Sequence, residues 1–415
     1  MLRFKVFVLF ILFMVSFCNI TIADEDNKKP SVIWESKPRL LKEGNGAQFI
    51  IKASESINMI HAARNKTGGQ DLYFSNSHNE GQTFSKPRPI NPKSGAVSSH
   101  GENGAQFRKG KGRALYTTWQ QERDIYFSRS LSFGRKFSDP IRVNDDKGKA
   151  SQSFFTMEVG PRGNVYLAWL DGREKGKNSN GKSPRGTSSL YFTRSIDRGN
   201  SFEKNVKIAA SACPCCRPSF AFGDAGEIFV SWRQVFEGDN RVVVVSSSQD
   251  GGKTWSEPVK TLDEGWKING CPHSGPVLNY SKGKLLVVWY TGSGNKARLK
   301  MATSMDKGKS FGPITEIQGN VLDANHPFMA MVNGEPWVIF QGRDPSIDDG
   351  WGNAKAWFVR VKHQEGQVTT PTALPSNGGS VSYPMLFPGN AGKIYALWTE
   401  MTEQGSQVVL CRGRI

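Results

Sequence analysis

Apolar residues occur in this chain as short runs separated by polar, glycine-rich turns, a pattern typical of β-strands rather than helices. The strongest runs end in tryptophan in most copies; they are residues 57–62, 114–119, 165–169, 228–232, 285–289, 336–340 and 394–398. Each run follows a shorter first strand, and these begin near Ala47, Ala105, Ser153, Pro218, Gly275, His326 and Tyr383. The pattern predicts seven repeated β units, with the tryptophans in the core.

A second repeat lies between the apolar runs. Five segments read Ser-x-Asp-x-Gly-x-Thr/Ser-Trp/Phe: residues 77–84, 130–137, 195–202, 248–255 and 304–311. Asn79 and Ser132 replace the aspartate in two copies, and Lys136 replaces the hydroxyl residue in one. Such a segment predicts a tight turn, because the Asp, Asn or Ser side chain accepts backbone hydrogen bonds and glycine supplies positive φ. Five copies indicate a repeat architecture.

This turn repeat resembles the Asp-box, or BNR, repeat of the sialidase-like β-propellers. The resemblance extends over nearly the whole chain that follows the N-terminal apolar segment, and it implies an all-β propeller of four-stranded blades. The strand count predicts seven blades, whereas sialidases usually have six, so six blades is the alternative. Asp-boxes are structural, and the resemblance therefore bears on fold rather than on activity.

The predicted seventh unit lacks a fourth strand, because the chain ends with its third strand at residues 407–411. The N-terminal segment offers a spare strand, since residues 32–40 match the segments that follow the turn repeats. We expect residues 31–41 to close the ring as the outer strand of the last blade, which removes exposed sheet edges. The predicted propeller domain is 31–415, preceded by a linker at 24–30.

Residues 1–23 have the features of a secretory signal peptide. Arg3 and Lys5 are followed by an apolar run over 6–17 and a small-residue cleavage site at 21–23. The apolar run is too short for a stable membrane span. We therefore expect an exported protein, periplasmic or extracellular. We also expect the protein to be a monomer.

The formal net charge is +17 at pH 7, and the excess is spread along the chain. A basic surface favours anions. For an exported protein we expect an acidic glycan, a carboxylate or an envelope partner, and no nucleic acid, because no nucleic-acid-binding motif is recognised. The alternative is a solvated basic surface without a specific ligand.

Cysteine and histidine residues precede the first strands of neighbouring units. The set consists of Cys213, Cys215, Cys216, Cys271, His273 and His326. Because these strands meet at the axis of a propeller, we expect the side chains to converge at the channel mouth. Thiols and imidazoles together favour a soft-metal site, with copper or zinc as the natural candidates.

The same cysteines also allow a structural disulfide. Exported proteins oxidise their cysteines, and a bond from Cys215 or Cys216 to Cys271 would join two blades. Adjacent Cys215 and Cys216 do not bond each other without strain. One disulfide would still leave thiols and imidazoles for a metal, so both interpretations stay open.

Arginines form a second predicted constellation on the same face. Arg64, Arg173, Arg233 and Arg343 each follow a second strand, and Arg217 lies beside the cysteines. Guanidinium groups bind carboxylates bidentately, which suits sialic or uronic acids. They are the predicted ligand-binding residues.

The resemblance to sialidases implies an arginine triad, a Tyr–Glu nucleophile pair and an aspartate general acid. Tyr383 matches the family's tyrosine loosely, and Arg217 and Arg343 match two of the triad. The first unit carries Gly-Ala-Gln-Phe at residues 46–49 where sialidases have Arg-Ile-Pro, and spacing pairs no glutamate with Tyr383. Asp171 and Glu122 are candidate acids by position alone.

Three hypotheses follow from the sequence. The first is a non-catalytic propeller that binds an anionic ligand at the channel mouth. The second is a metal or redox protein built on the cysteine–histidine set. The third is an exo-sialidase-type glycoside hydrolase, which the missing Arg-Ile-Pro motif disfavours.

Overall fold

The computed structural model describes residues 32–52, 54–148, 150–174, 188–347, 351–362 and 367–415. These residues form antiparallel β-structure almost throughout, with short 3-10 helices at Gly101–Asn103, Glu237–Asp239 and Ser293–Asn295. No helix in these residues has the length and apolarity needed to cross a bilayer. The predicted signal peptide and linker lie outside the described residues.

The described strands follow one another as seven sets of neighbouring antiparallel strands, numbered here in chain order. Sets one to three are Asn45–Ile51, Ile57–Arg64, Gln70–Ser77 and Arg88–Pro89; Gln106–Lys109, Leu115–Gln121, Asp124–Ser130 and Ile141–Arg142; and Gln152–Val159, Val165–Asp171, Ser188–Ser195 and Val206–Ala212. The short strand Val97–Ser98 links sets one and two.

The remaining sets repeat the same order of strands. Sets four and five are Ser219–Phe222, Ile228–Val235, Arg241–Ser248 and Val259–Lys260; and Val277–Ser281, Lys284–Thr291, Arg298–Ser304 and Ile314–Glu316. Set six is Leu322–Val332, Glu335–Arg343, Lys355–Lys362, Gln367–Val368 and Thr372–Ala373. Set seven is Ser380–Pro388, Lys393–Thr402 and Gly405–Arg414, joined by Ile33–Trp34 and Arg39–Glu43.

The predicted apolar runs lie in the second strand of each set, which confirms that part of the sequence pattern. Trp119, Trp169, Trp232, Trp289 and Trp398 are at most 2% exposed, as expected for core residues. Hydrophobic clusters join neighbouring sets; Leu72 of set one, for example, shares a cluster with Trp119 of set two. The sheets therefore pack face to face in chain order.

The turn repeats have the predicted hydrogen bonds. In the fourth copy Asp250 Oδ1 accepts from the backbone N–H groups of Lys253 (2.9 Å) and Thr254 (3.0 Å), and Oδ2 accepts from Thr254 Oγ1 (2.6 Å). Ser248 Oγ accepts from the N–H of Gly252 (2.8 Å). These donors hold the pKa of Asp250 below its usual range, the Thr254 hydroxyl contributing most.

Three turn repeats also contact the preceding set. Gly134, Gly199 and Gly252 lie against phenylalanine rings, and a Cβ at these positions would approach ring carbons to 2.3, 2.6 and 2.2 Å. The repeat's own aromatic residue packs edge-on against the same ring; Trp255 and Phe192 have centroids 5.2 Å apart. Glycine is thus required both for its positive φ and for the space it leaves.

The N-terminal strand pairs with the last strand, as predicted. Leu40 lies opposite Val409 and Glu43 opposite Gln407. The pairing is interrupted between Trp34 and Arg39, where Pro38 offers no N–H to a ladder. The paired strands are therefore shorter than the predicted 31–41 segment.

The turn-repeat contact predicts a difference between two glycines that both have positive φ. Gly252→Ala places a methyl group against Phe192, whereas Gly283 (φ +76°) has no atom within 4 Å of the corresponding position. We expect Gly283→Ala to lower the free energy of unfolding by about 1 kcal/mol, and Gly252→Ala by a further 1–3 kcal/mol, roughly. Urea unfolding measures both. Equal losses would contradict the packing role.

Candidate functional site

A cavity of about 380 Å³ lies where the first strands meet. Every one of the seven described sets contributes to its wall. The groups on the wall that carry chemistry are Glu102, Arg217, His326 and Tyr383. Sequence positions far apart in the chain are thus brought together, as predicted for Arg217, His326 and Tyr383.

The first strands of sets one, three, six and seven each contain a β-bulge near this cavity. In each, one extra residue is inserted, and that region contains a residue with positive φ: Gly46, Phe154, His326 and Tyr383. Left-handed backbone costs a non-glycine residue about 1 kcal/mol or more, and such strain often accompanies functional positions. The bulges direct His326 and Tyr383, whose ring centroids are 4.3 Å apart, towards the cavity.

Glu102 precedes the first strand of its set, as the sequence indicated, but spacing alone did not pair it with Tyr383. Its carboxylate accepts from the backbone N–H groups of Arg217 (2.9 Å) and Gly275 (2.7 Å). It also lies near Tyr383, because Gly101 adjoins the tyrosine hydroxyl: a Cβ on Gly101 would be 2.7 Å from it. The usable sequence signal was Glu102's position before the first strand of its set.

The Arg217 guanidinium is largely uncommitted. Nη2 donates to the carbonyl of Gly104 (3.3 Å), and Nε has no hydrogen-bond partner among the described residues. The side chain is half-buried and lines the cavity. Its buried Nε therefore lacks the hydrogen bond that water supplies to an exposed guanidinium.

Desolvation dominates the electrostatics of the cavity. Burial lowers the pKa of Arg217 to about 10 and raises the pKa of Glu102 to about 8, although each opposes the shift of the other. Burial also raises the pKa of Tyr383 to about 12 and lowers the pKa of His326 to about 4. The site favours neutral tyrosine and neutral imidazole.

Behind the cavity wall lies a cluster of three buried thiols, named here the sulfur cluster: Cys213, Cys215 and Cys216. Cys213 Sγ is 3.7 Å from Cys215 Sγ and 3.8 Å from Cys216 Sγ, and all three sulfurs are within 4.8 Å of one another. Each residue is at most 3% exposed. The connection before the first strand of set four thus gathers three potential thiolate ligands.

Two buried arginines adjoin the sulfur cluster. Arg241 Nη1 donates to Cys213 Sγ at 3.3 Å, and Arg233 Nη2 donates to the carbonyls of Ser274 (3.1 Å) and Tyr290 (2.8 Å). Hydrogen bonds from the neighbouring thiols, with Arg233 and Arg241 assisting, lower the pKa of Cys213 well below its usual range. Arg241 was not predicted; its only sequence signal is a charge directly before four consecutive valines.

A second group of ligands shares Cys215. Cys271 and His273, named here the outer pair, are exposed, and their ligand atoms lie within 4.8 Å of Cys215 Sγ and of one another. His326 Nε2 lies 2.8 Å from the His273 carbonyl. The cysteines expected to converge do so. The five described cysteines, including buried Cys411, are free thiols, and the alternative bond to Cys271 is not formed.

The other predicted residues lie elsewhere. Asp171 is fully buried and bonded to Trp169 Nε1 (2.8 Å) and Arg173, and Arg173 is also paired with Asp145 (2.7 Å). Arg64 is exposed, and Arg343 is paired with Asp323 (3.3 Å). Glu122 is exposed and paired with Lys93. Of the five predicted arginines, only Arg217 lies on the described cavity wall.

Comparisons with known proteins concern the fold. No protein-family model matches the chain, and no curated protein matches its sequence. Similar solved structures include a protein of unknown function from Dyadobacter fermentans DSM 18053, with a TM-score of 0.52 and 15% identity, covering 77% of this chain and 97% of that one.

Two further solved structures are enzymes. An ulvan lyase, a polysaccharide lyase bound to -[GlcA(1-4)Rha3S]-, has a TM-score of 0.50 and 14% identity, covering 77% of this chain and 82% of that one. The intramolecular trans-sialidase from Ruminococcus gnavus has a TM-score of 0.47 and 14% identity, covering 91% and 95%. At these identities the likenesses to the Dyadobacter fermentans protein and to the ulvan lyase bear on the fold alone.

Proposed function

We propose that the protein is an exported seven-bladed β-propeller whose cavity binds a carboxylate-bearing ligand of the acidic-glycan class, without sialidase turnover. The observation that carries the proposal is Arg217, which lines the cavity and whose buried Nε has no hydrogen-bond partner among the described residues. A half-buried guanidinium gains most from a carboxylate that replaces its lost hydration.

Packing between the first and last sets supports a closed ring. Ile57 and Met59 of set one share a cluster with Leu397 and Leu410 of set seven. Tyr395 donates to Glu55 (2.8 Å) across the same boundary. The N-terminal strand covers the edge of the last strand, which an open array would leave unpaired.

The ligand class follows from charge. Lys109 adds a positive charge to the cavity wall, where Arg108 is already paired with Glu158. The chain as a whole carries +17, which attracts anions over longer range. The ulvan lyase of similar fold is bound to a sugar containing GlcA, so uronic acids are the first class to test.

The environments of the acidic and phenolic groups argue against turnover. The raised pKa of Tyr383 disfavours the phenolate that a nucleophile requires. Asp171 is buried in a network with Trp169 and Arg173 and is not on the cavity wall. A ligand in the cavity therefore contacts neither an activated tyrosine nucleophile nor Asp171, the predicted general acid.

Ring closure predicts that the N-terminal strand stabilises the whole domain. Removing residues 1–43 should lower Tm by roughly 10 °C or more, because it exposes the edge of Gly405–Arg414 and uncovers its cluster. A truncation that removes only residues 1–31 serves as the control and should leave Tm unchanged. Calorimetry measures the Tm of both truncated proteins. Equal Tm values would argue against closure of the ring by the N-terminal strand.

Arg217 should determine affinity for carboxylates. We expect glucuronate oligosaccharides to bind the wild-type protein in calorimetry, and Arg217→Gln to weaken binding by about 10- to 100-fold. Arg64→Gln removes the same charge from an exposed position outside the cavity and should have no effect. Equal losses in the two variants would indicate non-specific surface charge, and no binding of uronates or sialosides by wild type would overturn the proposal.

Turnover of ordinary sialosides should be undetectable. Released sialic acid, measured chromatographically after long incubation of sialyllactose with the protein, should match the enzyme-free blank. Release that is abolished in Tyr383→Phe and retained in Tyr73→Phe, a tyrosine outside the cavity wall, would show that the site is hydrolytic.

A further inference from the structure

The sulfur cluster is accompanied by uncompensated buried charge. Arg233 and Arg241 are 1% and 7% exposed. Among the described residues the one carboxylate paired with either is Asp239, 3.8 Å from Arg241 and itself 52% exposed. Burying a guanidinium without a nearby anion is costly. Cys213 Sγ accepts from Arg241 Nη1 at 3.3 Å, so a thiolate at this position would supply the missing negative charge.

We propose that Cys213, Cys215 and Cys216 bind one monovalent copper ion as thiolates, with the outer pair Cys271 and His273 as its route from solvent. Three sulfurs about 2.3 Å from one ion are about 3.8–4.0 Å apart. The separations of 3.7 and 3.8 Å from Cys213 Sγ agree with that geometry. Thiolates are the ligands that Cu(I) and Zn(II) prefer.

Charge balance selects the monovalent ion. Three thiolates with one Cu(I) carry two negative charges, which the two buried guanidinium groups neutralise. A divalent ion would leave one positive charge uncompensated in the same place. Any proton that a ligating sulfur still carries is released to solvent on binding, and no redox step is involved.

The outer pair gives the buried ligands access. Cys271 and His273 are exposed, and Cys215 belongs to both groups of ligands. An ion bound by Cys271, His273 and Cys215 reaches the sulfur cluster by keeping Cys215 and exchanging its two other ligands for Cys213 and Cys216. The outer pair therefore affects the rate of loading, whereas the sulfur cluster determines the affinity.

The test is an anaerobic Cu(I) titration of the reduced protein lacking residues 1–23, against the chromophoric chelator bicinchoninate. We expect one tightly bound ion per chain. Cys213→Ser should weaken binding by more than about 100-fold, and Arg241→Gln by about 10-fold. Cys411→Ser is the matched control, because it removes a buried thiol in another set, and should leave affinity unchanged.

Two measurements keep the test decisive should Cys213→Ser fail to fold. X-ray absorption of the copper-loaded wild type should show three sulfur ligands; nitrogen or oxygen ligation would overturn the proposal. Cys271→Ser and His273→Ala should slow copper transfer from the chelator at unchanged stoichiometry, and unchanged rates would refute the access route. Tighter retention of Zn(II) than of Cu(I), or three or fewer free thiols in the unfolded protein as purified, would also overturn the proposal.

Discussion

The contact between a turn-repeat glycine and an aromatic ring of the preceding set limits how closely neighbouring sheets pack at three boundaries of this protein. Phe74, Phe127 and Phe192 each occupy the space that a side chain on the following repeat's glycine would need. The contact fixes the distance between neighbouring sheets, and the repeat's hydrogen bonds fix the turn itself. Gly81 of set one extends the series to the chain's end, because it lies against Leu410 of set seven.

This packing order places the first strands side by side, and the bulges then aim particular side chains. A regular first strand would alternate its residues between faces. The inserted residue at His326 and at Tyr383 breaks that alternation and brings both rings to the cavity. The scaffold therefore consists of residues whose roles repeat, whereas the site consists of residues that differ from set to set.

The sequence was sufficient to predict the repeating part. Apolar runs ending in tryptophan predicted the second strands, and the N-terminal match to the post-repeat segments predicted the pairing with Gly405–Arg414. The site was predicted only in part, because its contacts join residues whose spacing carries no period. Glu102 reaches Arg217 across 115 positions of the chain. Arg173 appeared available from its position, yet Asp145 and Asn205 engage it from other turns.

The net charge of +17 consequently says less about ligands than its size suggests. Arg173 is neutralised by carboxylates, and Arg233 and Arg241 are buried beside sulfur rather than displayed to solvent. On the described cavity wall Arg108 is paired with Glu158, whereas Arg217, which follows Cys216 directly in the chain, has no carboxylate in a salt bridge. The connection before set four thus carries both the proposed sulfur ligands and the proposed anion-binding group: Arg241 contacts Cys213, and Glu102 accepts from the backbone of Arg217. Because a single short connection carries both groups, its conformation determines the geometry of each.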